Sequence, residues 1–348
     1  MNTELPMCLL DWIDKDKIDW NQLSKNVNAI QMLKENPDKI HCQLSSNLNT
    51  EAIALLKENP LKIYWEQLSF NPRAIALLKE NPNKINWYYL SKNPCAEAIA
   101  LLKENPLKIN WSRLSKNPCA IALLKANPLK INWTYLSMNP NAIELLKENS
   151  DKINWDLLSK NPNAVALLKE NPLHINWYRL SQNPCAEAIS LLRENPLKIN
   201  WSGLSLNPCA EAISLLRENP LKINWNALSY NKNAIKLLKE NPDKLNWSGL
   251  SLNPCAEAIA LLRENIDKID WTKLSFNPNA IDLLKENPLK INWTQLSKNP
   301  NIFTYDYDKM RENMLLFKED LMKERFHPRN LRKFSSWGFN GGIDEDDE

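Results

Sequence analysis

The chain is short of glycine and histidine, with five of the first and three of the second in 348 residues. Gly203 and Gly249 stand alone and the other three lie near the carboxyl end, so no glycine-rich loop can cradle a phosphate. Neither a GxxxxGK sequence followed by Ser or Thr nor a GxGxxG sequence occurs. His41, His174 and His327 are dispersed and no HExxH is present, which leaves nothing to build a histidine centre from. No apolar run approaches a membrane span, and the first twenty residues lack the basic and apolar regions of a signal peptide. The seven cysteines contain no CxxC pair, and thiolate metal sites need about four ligands in one shell. Five of them (Cys95, Cys119, Cys185, Cys209, Cys255) hold one repeat position where other copies carry Asn, a pattern that predicts free thiols in a reducing compartment. The expectation is an intracellular protein without metal, cofactor or membrane segment.

What the chain does contain is one phrase written many times. Anchored on Trp20, Cys42, Trp65, Trp87 and so on to Trp293, the units recur every 22 or 24 residues, once every 23. The longer units carry two extra residues, as in Pro94-Cys95-Ala96-Glu97-Ala98-Ile99 against Pro118-Cys119-Ala120-Ile121. Within a unit, Asn139-Pro140 starts a helix A of about ten residues by the Asn N-cap and Pro N1 rule, with Ala142, Ile143, Leu145 and Leu146 on its apolar face. Asn132 starts a shorter helix B, with Ile131 and Leu136 as a hydrophobic staple. The five Asn-Trp-Ser or Asn-Trp-Thr triplets read as such helix starts rather than glycosylation sites. Helices below about 12 residues are marginal alone in water. The units must therefore stack into an all-α solenoid, a superhelix of about twelve two-helix repeats and on the order of 100 Å long if it runs as a rod.

The predicted organisation is a degenerate capping unit over 1–19, the array over 20–300, a capping helix over 301–334 and a disordered acidic tail over 335–348. Met314, Leu315, Phe317, Leu321 and Met322 are expected to shield the last Leu-Leu face.

The unit LSKNPNAVALLKENPLHINW (residues 158–177) resembles tandem repeats of giant nucleocytoplasmic DNA viruses, and Phe326-His327-Pro328-Arg329-Asn330-Leu331 resembles the short FHPRxL ending of many of their proteins. The likeness spans residues 20 to about 300. It implies a viral protein in the host cytoplasm or the virion, and it brings no catalytic residues. The Cys-Ala-Glu insertions and the loss of Trp at Cys42 depart from the viral pattern.

Repetition of like residues argues against an enzyme, which needs unlike residues brought together once. The one-per-unit Trp reads as core. The residue after each Ser (Phe70, Met138, Leu206, Tyr230, Leu252, Phe276) reads as a staple to the next helix. The two residues after each Trp vary from unit to unit, and aromatic and Arg side chains there are typical of binding hot spots. Tyr88, Tyr89, Arg113, Tyr135, Tyr178 and Arg179 are accordingly the candidate partner-binding residues, and a protein is the expected partner. The alternative is a lysine ladder in the A-to-B turns, including Lys108, Lys130, Lys152, Lys198, Lys222, Lys244 and Lys268, that would bind nucleic acid or another polyanion. A purely structural virion role is the third reading, with no small-molecule substrate in any of them.

Overall fold

Every unit is a chain of three or four short helical pieces, and asparagine ends or begins most of them. In the unit around Trp133, Asn132 is the N-cap: its Oδ1 accepts the Tyr135 N–H at 3.1 Å, and helix B runs Trp133–Leu136. Helix A follows as Ile143–Lys147. Asn149 then leaves the helix, and its Nδ2 donates to the Leu145 carbonyl at 3.0 Å, satisfying one of the acceptors that a helix end orphans. A 3-10 turn over Ser150–Lys152 leads to the next Asn cap. The predicted staple is present, with Ile131 and Leu136 both buried.

In a computed structural model that describes residues 5–325, excepting the side chains of 316, 317, 319–321, 324 and 325, the chain is an all-α solenoid with one pair of short strands. The two-residue insertions change the start of helix A. In the shorter units a 3-10 turn such as Pro118–Ala120 precedes Ile121–Lys125, whereas Ala96–Glu104 is one continuous helix with Cys95 as its N-cap. Around Cys42 the deleted residue leaves no room for an α-turn, and Cys42–Ser46 is a 3-10 helix.

The units are joined along a buried polar seam. Ser137 Oγ donates to the Trp133 carbonyl in its own helix at 2.8 Å and accepts the Asn154 N–H of the next unit at 2.9 Å. Asn139 uses its whole amide: Nδ2 donates to the Ser115 and Asn117 carbonyls of the preceding unit, and Oδ1 accepts the Asn141 N–H. Both side chains are fully buried. Leu136, Ala142 and Leu146, also without exposure, pack beside them. Exposed ion pairs such as Lys34–Glu51 and Arg193–Glu218, at 2.6 Å each, bridge successive A helices, each worth about 0–1 kcal/mol.

The seam has no free end. Asp19 N–H donates to Ser297 Oγ at 2.9 Å, Asn26 Nδ2 to the Asn299 carbonyl at 2.9 Å, and Asn28 Nδ2 to the Pro300 carbonyl at 3.0 Å. These are the bonds that Asn154, Asn139 and Asn141 make inside the array. Residues 11–302 therefore form a closed array: its first and last units are neighbours, so the solenoid does not run as a rod. Thirteen B segments take part, twelve α-helices and the 3-10 helix at Cys42.

Of the described residues, 5–10 and 303–325 form a separate compact unit. In it β1 (Met7–Leu9) pairs antiparallel with β2 (Phe303–Tyr305), Leu9 opposite Phe303, where a degenerate helical unit was expected for residues 1–19. The helix Tyr307–Arg325 carries Met314, Leu315 and Met322 exposed. The expectations for Phe317, Leu321, the FHPRxL ending and the acidic tail fall outside the described residues.

Candidate functional site

The second residue after Trp in one unit lies against the residue after Ser in the unit before it. At Gly249 this is closest: a β-carbon there would stand 3.0 Å from the Tyr230 ring, so glycine is what allows the tyrosine to lie across the helix. These two positions together make one face of the array.

On that face Tyr88 and Tyr89 meet edge to face at 5.2 Å and 81°. Lys92 Nζ, from the position after Ser, stands 4.3 Å from one ring and 4.9 Å from the other. The Arg113 guanidinium bridges onward, 4.7 Å from Tyr88 and 5.5 Å from Tyr135. Four of the six sequence candidates are thus brought together as one cation–aromatic cluster. Arg179 is elsewhere, its Nε 2.7 Å from Asp156 Oδ2, and its neighbour Tyr178 is exposed.

Beside the cluster is a cavity of about 460 Å³, within the size range of ligand sites, walled by Leu48, Phe70, Pro72, Tyr89 and Pro94 with Lys25 at its edge. Gln67 Oε1, also in its lining, is buried and has no hydrogen-bond partner. Phe70 is half exposed, so its expected role as a closed staple is replaced by that of a cavity wall. The sequence missed this cavity and Lys92 because the residue after Ser was read as packing.

No tryptophan of the array is fully buried, and the expectation that Trp is core is corrected accordingly. Each Trp begins a four- to six-residue helix, and in six of the twelve a lysine or His174 from the turn leading to the next B segment lies over the indole. Lys152, Lys198, Lys244 and Lys268 stand 4.7 to 4.8 Å over Trp133, Trp177, Trp225 and Trp247, and His174 stacks on Trp155 at 4.9 Å and 15°. Lys17 lies over Trp293 across the closing junction. Four of the seven ladder lysines therefore hold indole faces; Lys108, Lys130 and Lys222 are exposed on the same row. Next to the lysines stand leucines that the sequence reading passed over: Leu61, Leu107, Leu129, Leu173, Leu197, Leu221 and Leu289 are 96 to 101% exposed. A shallower hollow of about 540 Å³ lies at the same turns, beside Lys222, Asn224 and Trp225.

The cysteines are all reduced. Cys185, Cys209 and Cys255 each donate to the glutamate two residues on, at 2.5 to 2.6 Å. Burial first, and then that hydrogen bond, pushes the three thiols up from their ordinary value, while the thiol donor holds Glu187, Glu211 and Glu257 below theirs. These are protonated helix caps rather than nucleophiles. Among the described residues no group of three or more His, Cys, Asp or Glu could hold a metal ion, and no helix is long and apolar enough to cross a membrane.

Comparison with known protein families, characterised proteins and solved structures yields no match.

Proposed function

We propose that the array is a non-enzymatic scaffold that engages a protein partner, host or virion, through the B-helix face centred on Tyr88, Tyr89, Arg113 and Tyr135. The observation that carries this is the contrast between frame and face. The serine and asparagine bonds recur with little change from unit to unit, while the positions after Trp and after Ser vary and gather aromatic and cationic side chains at one place. Tyr and Arg in such a setting are the residues that carry most binding energy at protein interfaces. The resemblance to giant-virus repeats puts that partner in an infected cell.

The test is recovery of partners from infected-cell lysate with and without nuclease. A protein that survives nuclease and is lost with Tyr88→Ala and Tyr135→Ala supports the reading. Recovery that vanishes with nuclease, falls steeply between about 50 and 200 mM salt and depends on Lys244 and Lys268 overturns it in favour of a polyanion on the turn lysines.

A further inference from the structure

Two of the positions that make up the face holding the aromatic cluster carry charge of one sign. Across all thirteen units, the second residue after Trp and the residue after Ser include Lys25, Lys92, Arg113, Lys116, Lys160 and Arg179, then Lys273 and Lys298, and no Asp or Glu. The acidic side chains nearest in sequence sit one position away, at Glu66 and Asp156, and both are engaged: Tyr64 Oη donates to Glu66, and Asp156 pairs with Arg179. No ion pair among the described residues reaches Lys25, Lys92, Arg113, Lys116 or Lys160.

Two features of the same face decide what it fits. The cavity is lined by the apolar Leu48, Phe70, Pro72, Tyr89 and Pro94, with Lys25 also in its lining and Lys92 standing 4.9 Å from the ring of Tyr89, next to Arg113 on Tyr88. It suits one buried apolar side chain flanked by anions. The tyrosine rings, in contrast, are already covered by Lys92 and Arg113, so they are not open platforms for stacked bases. We infer that the partner contributes an acidic peptide segment with an apolar anchor: the anchor enters the Phe70–Tyr89 cavity, and its carboxylates meet Lys25, Lys92 and Arg113. This deepens the partner-binding reading and rests on it.

The experiment uses the full chain and a fluorescein-labelled peptide of alternating Asp and Glu with one central Phe, read by fluorescence anisotropy. Binding should weaken about tenfold or more when the central Phe becomes Ser, and by a similar factor with Phe70→Ser or Lys92→Glu, as expected for loss of a central anchor or a charge contact. Serine already occupies the Phe70 position in the neighbouring unit, as Ser46, so that variant keeps the fold. Lys222→Glu, on the turn row, should leave affinity unchanged. The proposal is overturned if the peptide does not bind, if its Phe makes no difference, or if single-stranded oligo(dT) displaces it and binds tighter. Failure of the peptide while Tyr88→Ala and Tyr135→Ala still abolish partner recovery discards only the acidic-peptide assignment; failure of both discards the reading beneath it.

Discussion

Asparagine does three different jobs in most units, and at residue scale the three should separate by stability. Asn132 caps helix B, Asn149 closes helix A, and Asn139 is sealed inside the seam with every polar atom paired. Asn139→Ala strands two buried carbonyls and the Asn141 N–H, and an unsatisfied buried group costs about 1–3 kcal/mol. A loss near the top of that range is expected in urea denaturation, against roughly 1 kcal/mol for the cap variant Asn132→Ala. Leu197→Asp should move stability by no more than about 0.5 kcal/mol, since the side chain is fully exposed and Asp151 and Asp243 hold that place in other units. Equal losses at 139 and 197 would mean that the seam is not what holds neighbouring units. The thiols give a pH test. Their raised values mean less thiolate at any pH near 8, so alkylation of Cys185, Cys209 and Cys255 followed by mass spectrometry should show a midpoint above the ordinary thiol value of about 8.5. A midpoint at or below it would contradict both the burial and the glutamate contact. Caps and staple were legible in the sequence because they depend on three or four adjacent residues. The buried Asn was read only as a cap and the buried Ser was given no partner, because their partners lie 17 to 26 residues away and leave no local trace.

At the scale of the element, the two unit lengths show how much the helices are free to change. Asn183, in a longer unit, donates to the Ser159 and Asn161 carbonyls as Asn117, in a shorter one, donates to Ser91 and Asn93. The insertion is absorbed between this asparagine and the buried Ala188 or Ala120, so it never reaches the seam. Removing Ala186 and Glu187 makes Asn183-Pro184-Cys185-Ala188-Ile189 read like Asn117-Pro118-Cys119-Ala120-Ile121. The shortened unit should exchange its continuous helix for a 3-10 turn and a shorter helix, with stability changed by less than about 1 kcal/mol in urea denaturation. A loss of about 3 kcal/mol or more would show that helix length is coupled to the junction. The candidate face was half legible for a related reason. Variation after Trp pointed to Tyr88, Tyr89, Arg113 and Tyr135, which do meet, but Lys92 and Phe70 come from the end of helix B, and only the packing of one unit on the next brings them alongside. Trp was misjudged because position N1 of so short a helix aims the indole at the following turn, where a lysine or His174 covers it.

At the scale of the closed array, residues 11–302, closure is the property that no unit encodes by itself. It depends on the small rotation between neighbours, which is set by side-chain packing summed over every junction. If the junctions are equivalent, thirteen of them share one turn at about 28° each, the condition under which a head-to-tail interface makes a ring instead of a filament. An open solenoid frays at its terminal repeats, where local opening takes very little free energy. A closed one has no terminal repeat, and Asp19 gives the means to tell them apart. Its amide donates to Ser297 Oγ at 2.9 Å, as the Asn154 amide donates to Ser137 Oγ in mid-array at the same distance. Native-state hydrogen exchange should find the two amides protected to a similar degree. Ser297→Ala should expose Asp19 and leave Asn154 unchanged, and Ser137→Ala should do the reverse. An Asp19 amide that exchanges like a chain end while Asn154 stays protected would mean that the array is open in solution, with Asn26 and Asn299 apart.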